Sequence, residues 1–432
     1  MEPVVLVTVA LALLAFGAVS RRAERTSLTP PMWFVLVGFG LSGYGAGLID
    51  APEGDEGIRL LAELALVLVL FTDAARIDLK CLRRNESLPL RLLGIGLPLT
   101  IISGALVASA VFPTFGLLEA LLLAAILAPT DAALGQAVVS SRYVPVRIRQ
   151  SLNVESGLND GIVLPVVLVV ASLTISMGTA VDTGAWVQFA ALQVVLGPVV
   201  GIGVGLGGGR VIGRAVRHNW INDPFERLSV LGLALAAFAG AELVGGNGFI
   251  AAFVAGLTLG NTARATCSHL YEFGEAEGQL LTLLVFLIFG SVLVPATLGS
   301  WNLSALGYAV LSLTVIRMVP VAISLIGTGL HGVSTAFIGW FGPRGLASIL
   351  FVLLIVGEYE LAAGPTIEAV VVLTVLLSTF AHGMTAFPFS RRYGAWLSRA
   401  HEDMMQAERA EAQELPARIR HADGNHGHSG KG

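Results

Sequence analysis

Long windows of apolar residues with few charges recur along this chain, and short polar stretches separate them. About 20 consecutive apolar residues form a helix long enough to span the hydrocarbon core of a bilayer. Scanning for such windows predicts thirteen helical spans. Their first residues lie near positions 3, 31, 58, 92, 115, 153, 186, 228, 246, 278, 302, 333 and 364. The pattern therefore predicts an all-α polytopic membrane protein.

Composition supports this class, since 55% of the residues are apolar and only 13% are charged, against about one quarter charged in soluble domains. A soluble catalytic module is excluded, and we expect a transporter rather than an enzyme. We expect one transmembrane domain over residues 1–386 and a short cytoplasmic tail over 387–432, partly helical or disordered. The expected partner is the lipid bilayer, and neither a cofactor nor a nucleic acid is expected.

Basic residues predict the orientation. Of the 26 Arg and Lys residues, all except Arg59, Arg317 and Arg344 lie in alternate loops or in the C-terminal tail. Loops rich in Arg and Lys face the cytoplasm. The chain should therefore lie in the cell membrane with its N-terminus outside and its C-terminus in the cytoplasm.

Five ionisable residues fall deep inside predicted spans: Asp131, Glu155, Asp160, Arg317 and Arg344. Such groups cost several kcal/mol unless they face a partner or a wet cavity. One interpretation is a structural ion-pair network that holds helices together. The alternative starts from the charge count, because three acids and two arginines leave one acid without a fixed positive partner. A mobile cation could take that place.

Helix-breaking residues interrupt two of the spans. In ILAPTDAALGQ, Pro129 interrupts the fifth span and frees backbone carbonyls, such as that of Thr130, as oxygen ligands. In WFGPRGLAS, the segment 342–345 interrupts the twelfth span. Spans seven apart run in opposite directions. The pattern predicts two inverted six-helix repeats, spans 1 to 6 and 8 to 13, whose broken helices cross at mid-membrane.

The stretch NVESGLND places polar residues on two faces of the sixth span. Glu155 and Asn159 are four residues apart and share one face, while Ser156 and Asp160 share the adjacent one. We expect the first pair to face a neighbouring helix, for instance the one that bears Arg344. The second pair should point at the break in the fifth span. Carboxylates, a hydroxyl and a freed carbonyl together suit a hard cation such as sodium.

At these residues the chain resembles the NhaP-type cation/proton antiporters, on the branch that also holds the animal sodium/proton exchangers. The resemblance covers roughly residues 1–386. It rests on five motifs in the expected order: LFTDAARIDL at 70–79, PTDA at 129–132, ESGLND at 155–160, GFIAAFVAGLTLGN at 248–261 and GPRG at 342–345. One departure is Ala132, where the family usually has proline.

The resemblance implies exchange of Na⁺, Li⁺ or K⁺ for H⁺, with no cofactor besides the transported ions. It implies that Asp160 is the main cation and proton carboxylate. It also implies that four residues help to shape the cation site: Asp131, Thr130, Ser156 and Glu155.

Three further residues receive supporting roles from the resemblance. Arg344 resembles the arginine that pairs with Glu155, and Arg317 resembles a conserved basic residue of the preceding helix. In the family, an asparagine at the position of Asn159 goes with electroneutral exchange. A homodimer and a role in pH homeostasis are further implications.

The mechanism that we expect is competition for one carboxylate. Burial disfavours the charged form of a carboxylate, so a cation and a proton each bind Asp160 when the other has left. The alternatives are a sodium-coupled solute symporter and an intramembrane aspartyl protease that pairs Asp131 with Asp160, although no G-x-G-D sequence is present. His382 lies near the inner end of the last span, either as a residue that tunes the pH response or as an interfacial histidine with no special role.

Overall fold

The computed structural model describes residues 3–23, 26, 28–49, 55–79, 87–178, 183–262, 270–356, 361–400 and 406–409. These residues are largely helical, and the isolated bridge between Ser42 and Ile49 does not extend into a sheet among them. The helices are α1 Pro3–Ala23, α2 Pro30–Leu41, α3 Glu56–Arg76, α4 Ser87–Val111, α5 Leu117–Ile126, α6 Ala132–Val139, α7 Val146–Gly178, α8 Thr183–Arg217, α9 Asp223–Leu243, α10 Gly248–Thr262, α11 Leu270–Thr297, α12 Leu303–Ser324, α13 Gly332–Trp340, α14 Leu346–Val356, α15 Gly364–Arg399 and α16 Gln406–Arg409.

Three of these helices contain a widened turn. π-helical turns lie at Leu92–Gly96 in α4, at Phe289–Leu293 in α11 and at Val352–Val356 at the end of α14. In α12, the backbone breaks helical geometry at Thr314, whose φ is −115° and ψ is −93°. The widened turn in α11 is buried along its whole length, so neighbouring helices can satisfy the displaced backbone groups there.

The predicted class is confirmed. Within the described residues, a helix or a pair of half-helices lies at each of the thirteen predicted positions. Among the described residues, seven helices are long and apolar enough to cross a membrane, and four shorter apolar helices accompany them. The fifth span consists of α5 and α6, and the twelfth consists of α13 and α14. Both predicted interruptions are therefore present.

Some helices extend beyond the predicted spans. α15 has 36 residues, which is about 54 Å at 1.5 Å per residue and exceeds a hydrocarbon core of about 30 Å. The division predicted between residues 386 and 387 consequently falls inside one continuous helix, because polar residues continue the helix outside the apolar window. Beyond α15, the structure describes residue 400 and α16. Residues 401–405 and 410–432 lie outside the described part.

Predicted spans eight and nine are separate helices, α9 and α10, joined by a tight turn. Gly245 has a φ of +78°, a backbone conformation that glycine adopts without a steric penalty. The Glu242 carboxylate accepts a hydrogen bond from the backbone N–H of Gly248 at 2.8 Å. Asn247 accepts one from the N–H of Ile250 at 3.0 Å. These two side chains cap the start of α10.

Glycines allow two helix pairs to approach closely. A Cβ on Gly256 or Gly260 of α10 would collide with the backbone of α3, and a Cβ on Gly38 of α2 would collide with the carbonyl of Leu287 in α11. Gly290 of α11 meets α2 in the same way. Close approach through small residues is a common mode of packing for membrane helices. The pairs α2–α11 and α10–α3 correspond under an offset of seven spans, as the inverted repeat requires.

Candidate functional site

The two broken spans cross and are joined backbone to backbone. The Asp131 N–H donates to the carbonyl of Pro343 at 2.8 Å. The Ser348 hydroxyl at the start of α14 donates to the carbonyl of Ile126 at the end of α5, also at 2.8 Å. Each half-helix end that a break exposes has unpaired backbone groups that need partners inside a membrane. The crossing supplies partners from one break to the other.

Asp131 caps the first turns of two half-helices. Its Oδ1 accepts a hydrogen bond from the N–H of Ala133 in α6 at 2.6 Å, and its Oδ2 accepts one from the N–H of Leu346 in α14 at 2.6 Å. A carboxylate is favoured at a helix N-terminus, where the dipole is positive. A Cβ on Gly345 would collide with the Asp131 carboxylate, so glycine is needed for this approach. α6 begins directly at Ala132, the residue that replaces the usual proline of the resembling family.

Arg344 lies at the opposite kind of helix end. Its Nη1 donates to the carbonyl of Ala128 at 2.5 Å and to that of Pro129 at 3.2 Å, at the C-terminal end of α5. The side chain is fully buried. A cation suits a helix C-terminus, where the dipole is negative. The expectation that Arg344 pairs with Glu155 is therefore wrong in its contacts, since the Arg344 Nη1 donates to the carbonyls of the first break and Arg317 makes the ion pair with Glu155.

The partner of Glu155 is Arg317 of α12. The guanidinium donates from Nη1 to Oε1 at 2.5 Å and from Nη2 to Oε2 at 2.8 Å, and the exposed fractions of the two side chains are only 1% and 2%. This two-point arrangement is the strong form of a carboxylate pair. A Cβ on Gly342 would collide with the guanidinium. The ion pair therefore packs against the second break.

Three polar side chains meet where the first break faces α7. The Thr130 hydroxyl lies 3.0 Å from the Ser156 hydroxyl. Asn159 donates from Nδ2 to the Thr130 hydroxyl at 2.7 Å and to the Thr130 carbonyl at 3.3 Å. The predicted direction of Ser156, toward the break in the fifth span, is confirmed by this contact. The prediction that Asn159 and Glu155 face the same neighbouring helix is wrong. The Asn159 amide contacts Thr130 at the break, whereas Glu155 contacts Arg317 of α12.

Asp160 lies beside this cluster on α7, four residues after Ser156, with only 9% of its surface exposed. The Asn159 Oδ1 is also buried and accepts no hydrogen bond from the described residues. The Asn159 Oδ1 and the Thr130 and Ser156 hydroxyls form a set of buried oxygen atoms, and helical spacing places Asp160 on the same face of α7 as Ser156. Oxygen atoms are the ligands that hard cations prefer. Glu155 is directed away from this set, toward Arg317.

Sequence reasoning missed part of the site. Ser378 of α15 accepts a hydrogen bond from the N–H of Arg344 at 2.7 Å. His382, which could have been interfacial by its position, is buried, with only 1% of its surface exposed. The available signal was weak, because a serine and a histidine four residues apart in an apolar span indicate a shared face without showing what it contacts.

Comparison with known proteins bears on this arrangement. Residues 9–392 match the protein family described as "Sodium/hydrogen exchanger, transmembrane". The K(+)/H(+) antiporter NhaP of Alkalimonas amylolytica is 26% identical over 71% of this chain and 54% of its own length. The Na(+)/H(+) antiporter ApNhaP of Aphanothece halophytica is 27% identical over 74% of this chain and 61% of its own length. The chain thus spans little more than half the length of these curated relatives.

A solved structure shares the fold. The sodium proton antiporter MjNhaP1 of Methanocaldococcus jannaschii at pH 8 superposes with a TM-score of 0.73 and 18% sequence identity. The match covers 90% of this chain and 98% of the other. At this identity the likeness concerns the fold alone.

Proposed function

Since the chain belongs to the sodium/hydrogen exchanger transmembrane family, we propose that it is a secondary antiporter that exchanges a monovalent cation for protons. The observation that carries this proposal is the buried oxygen set at the crossing, formed by Asn159, Ser156 and Thr130, with the buried Asp160 four residues after Ser156 on α7. Relatives named for K⁺ and for Na⁺ support either ion as the substrate. The family supports neither the protease nor the solute symporter.

Exchange follows from competition for Asp160. Burial disfavours the charged form of a carboxylate, so either a proton or a cation binds it, and the binding of one displaces the other. The hydroxyls of Thr130 and Ser156 and the Oδ1 of Asn159 replace part of the cation's hydration shell. If only the loaded forms move across the membrane, an inward proton gradient drives cation export without ATP.

Asp131 and Glu155 support the site indirectly, through the groups that they hold in place. Both oxygens of Asp131 hold backbone N–H groups of the crossing, and Glu155 is held by Arg317. We therefore assign cation binding first to Asp160 and its three polar neighbours. Asp131 and Glu155 shape the position of that set.

The proposed orientation, with the N-terminus outside and the C-terminus in the cytoplasm, rests on the distribution of basic residues. Location in the cell membrane, a homodimeric assembly and a role in pH homeostasis follow from the family resemblance. They extend the proposal and are open to direct measurement by accessibility labelling and by the mass of the purified protein.

The experiment is cation-driven proton flux in proteoliposomes. Purified protein is reconstituted with a pH-sensitive dye, and Na⁺, Li⁺, K⁺ or choline is added across a range of pH. We expect at least one alkali cation to dequench the dye, and we expect Asp160→Asn to abolish the signal while the protein stays folded.

Asp223→Asn is the matched control, because Asp223 lies exposed in the first turn of α9 and its loss should leave the flux unchanged. Cation-dependent flux in Asp160→Asn would contradict the assignment of the carboxylate. Silence of the folded wild type toward all four salts would contradict the antiporter proposal itself.

We further propose that exchange is electroneutral, one cation for one proton, because Asn159 is uncharged. Asn159→Asp adds one negative charge while the Thr130 hydroxyl, 2.7 Å from the amide nitrogen, can turn to donate to it. We expect the variant to generate a current on a solid-supported membrane where the wild type generates none. Equal currents in the two proteins would remove the support for electroneutral exchange.

A further inference from the structure

The C-terminal helix end of the second break receives one hydrogen bond from its own segment, since the Gly342 N–H donates to the Trp340 carbonyl at 2.9 Å. α13 ends at Trp340, and its carbonyl faces the imidazole Nε2 of His382 in α15 at 2.9 Å. One helical turn earlier on α15, the Ser378 hydroxyl accepts the backbone N–H of Arg344 at 2.7 Å. α15 therefore contacts both ends of the segment 340–344, and both side chains are buried.

The hydrogen bonds determine which ring nitrogen carries the proton. A carbonyl only accepts, so the Nε2 that faces Trp340 must donate. Nδ1 lies 3.1 Å from the Ser378 hydroxyl and 3.0 Å from the Ser378 carbonyl. The Ser378 carbonyl could accept a proton from Nδ1 only if Nδ1 carried one, as in the imidazolium. In the neutral ring the proton on Nε2 is the only one, so Nδ1 accepts from the Ser378 hydroxyl, whose oxygen already accepts the Arg344 N–H.

The charged surroundings favour this neutral ring. The charged groups among the described residues with an electrostatic effect on His382 are Arg344 of α14 and Arg317 of α12, both cationic and both buried. The rings of Trp340 and Phe341 lie 5.0 Å and 6.5 Å from the imidazole ring. A third positive charge in this apolar surrounding would be repelled by the other two.

One continuous chain of hydrogen bonds results. It runs from the Arg344 N–H to the Ser378 hydroxyl, from that hydroxyl to His382 Nδ1, and from His382 Nε2 to the Trp340 carbonyl. Arg344 in turn holds the carbonyls of the first break, and the neighbouring Leu346 N–H holds Asp131. The shape of the second break is thereby connected to the backbone that presents Thr130.

We propose that Ser378 and His382 are positioning residues for cation/proton exchange: through an uncharged relay they hold the second break in the shape that places Arg344 and Asp131. This inference rests on the proposed antiport function. It assigns His382 a role as a donor in the relay, and it excludes the pH-sensing role that its position in the sequence allowed.

The test compares His382→Gln with His382→Leu. Glutamine places an amide N–H near the position of Nε2 and cannot titrate, whereas leucine offers no donor. We expect His382→Leu to lower the maximal exchange rate by roughly tenfold, because the Trp340 carbonyl loses the donor that ties it to α15 and keeps only the Gly342 N–H, and His382→Gln to stay within about threefold of the wild type. The pH profile of His382→Gln should match that of the wild type. His218→Leu, at an exposed histidine beyond the end of α8, is the control and should change nothing.

Ser378→Ala extends the test if His382→Leu does not fold. It should lower the rate by about threefold by itself. Where both single variants fold, the double variant Ser378→Ala/His382→Leu should lose less than the product of the two single effects, since both cut the same chain. If His382→Gln shifts the pH profile, His382 titrates in the wild type, and the relay is overturned. The relay is equally overturned if glutamine fails as badly as leucine, or if the two single effects simply multiply.

The two proposals fail in different ways. Wild-type flux with variants that all match the wild type would overturn the relay alone. A folded but silent wild type would overturn the exchange function and with it the positioning role. In that case, coupling between Ser378→Ala and His382→Leu in thermal unfolding would still show whether the chain of hydrogen bonds exists.

Discussion

The break between α5 and α6 and the break between α13 and α14 cross each other, yet their exposed helix ends are satisfied from different sources. The N-terminal ends of α6 and α14 share one carboxylate, that of Asp131. The C-terminal end of α5 is held by the guanidinium of Arg344, which belongs to the other break. The C-terminal end of α13 is held by the Gly342 N–H of its own break and by the imidazole of His382, which comes from α15.

Under the proposed function, this difference makes the second break a support and the first break a source of cation ligands. The second break is braced on its outer side by α15 and by the buried pair of Arg317 and Glu155. The first break contacts α7 through Thr130, whose hydroxyl meets Ser156 and Asn159. A break whose carbonyls and hydroxyl face a polar helix can present oxygen ligands, and a break enclosed by charged and aromatic groups can hold them in place. We conclude that the two inverted halves of the crossing have different tasks despite their common geometry.

The largest expected effect concerns the brace of the second break. Arg317→Met leaves the Glu155 carboxylate buried without its guanidinium, and removing one member of a buried pair costs about 3–5 kcal/mol. The double variant Glu155→Leu/Arg317→Met removes both charges and should recover most of that loss. Thermal or denaturant unfolding of the purified proteins measures both. Equal destabilisation of the single and double variants would show that packing, not charge, makes this brace.

A substitution at Asp131 tests the carboxylate that caps one half-helix of each break. Asp131→Asn keeps the shape of the side chain and loses the charge that faces two helix N-termini, so we expect destabilisation of about 2–3 kcal/mol, the range for hydrogen bonds to a charged group. The apparent KM for the cation should change less than the stability does. A large rise in KM with an unchanged unfolding midpoint would make Asp131 a direct cation ligand, which would restore the assignment made from the sequence.

The smallest effect comes from the close contact between the breaks. Gly345→Ala places a methyl group against the Asp131 carboxylate and Leu134, and overpacking of this kind costs about 1–3 kcal/mol. Gly135→Ala in α6 is the matched control, since a Cβ there has no neighbour within 4 Å, and an alanine inside a helix is favourable by up to about 1 kcal/mol. Unfolding midpoints that move together in the two variants would contradict the claim that the contact at Gly345 is tight.

Much of the fold could be predicted, for physical reasons that act locally. Twenty apolar residues in a row have one stable arrangement in lipid, so the spans around α4, α7 and α15 could be located directly. Proline and glycine interrupt a helix wherever they are placed, so both breaks were visible as Pro129 and as the segment 342–345. Helix ends were less certain, since α15 continues to Arg399 beyond the apolar window.

The contacts within the site were predicted less completely. The spacing of four residues correctly placed Ser156 toward the break, but it also placed Asn159 with Glu155, and the structure separates them. Two buried arginines were candidates for one glutamate, and nothing local distinguishes Arg317 from Arg344. The capping role of His382 left no trace in the sequence beyond an imidazole in an apolar window.

The sequence by itself determined the class of protein, the number and order of the spans, the positions of the two breaks and the residues that must be buried with charge. These follow from hydropathy, from backbone geometry and from helical periodicity, which depend on neighbours along the chain. Only the tertiary structure decided that Arg317 holds Glu155, that Arg344 and Asp131 cap opposite helix ends, and that α15 closes the second break through His382. Periodicity gives the face on which a side chain lies, whereas the packing of all the helices decides what that face meets.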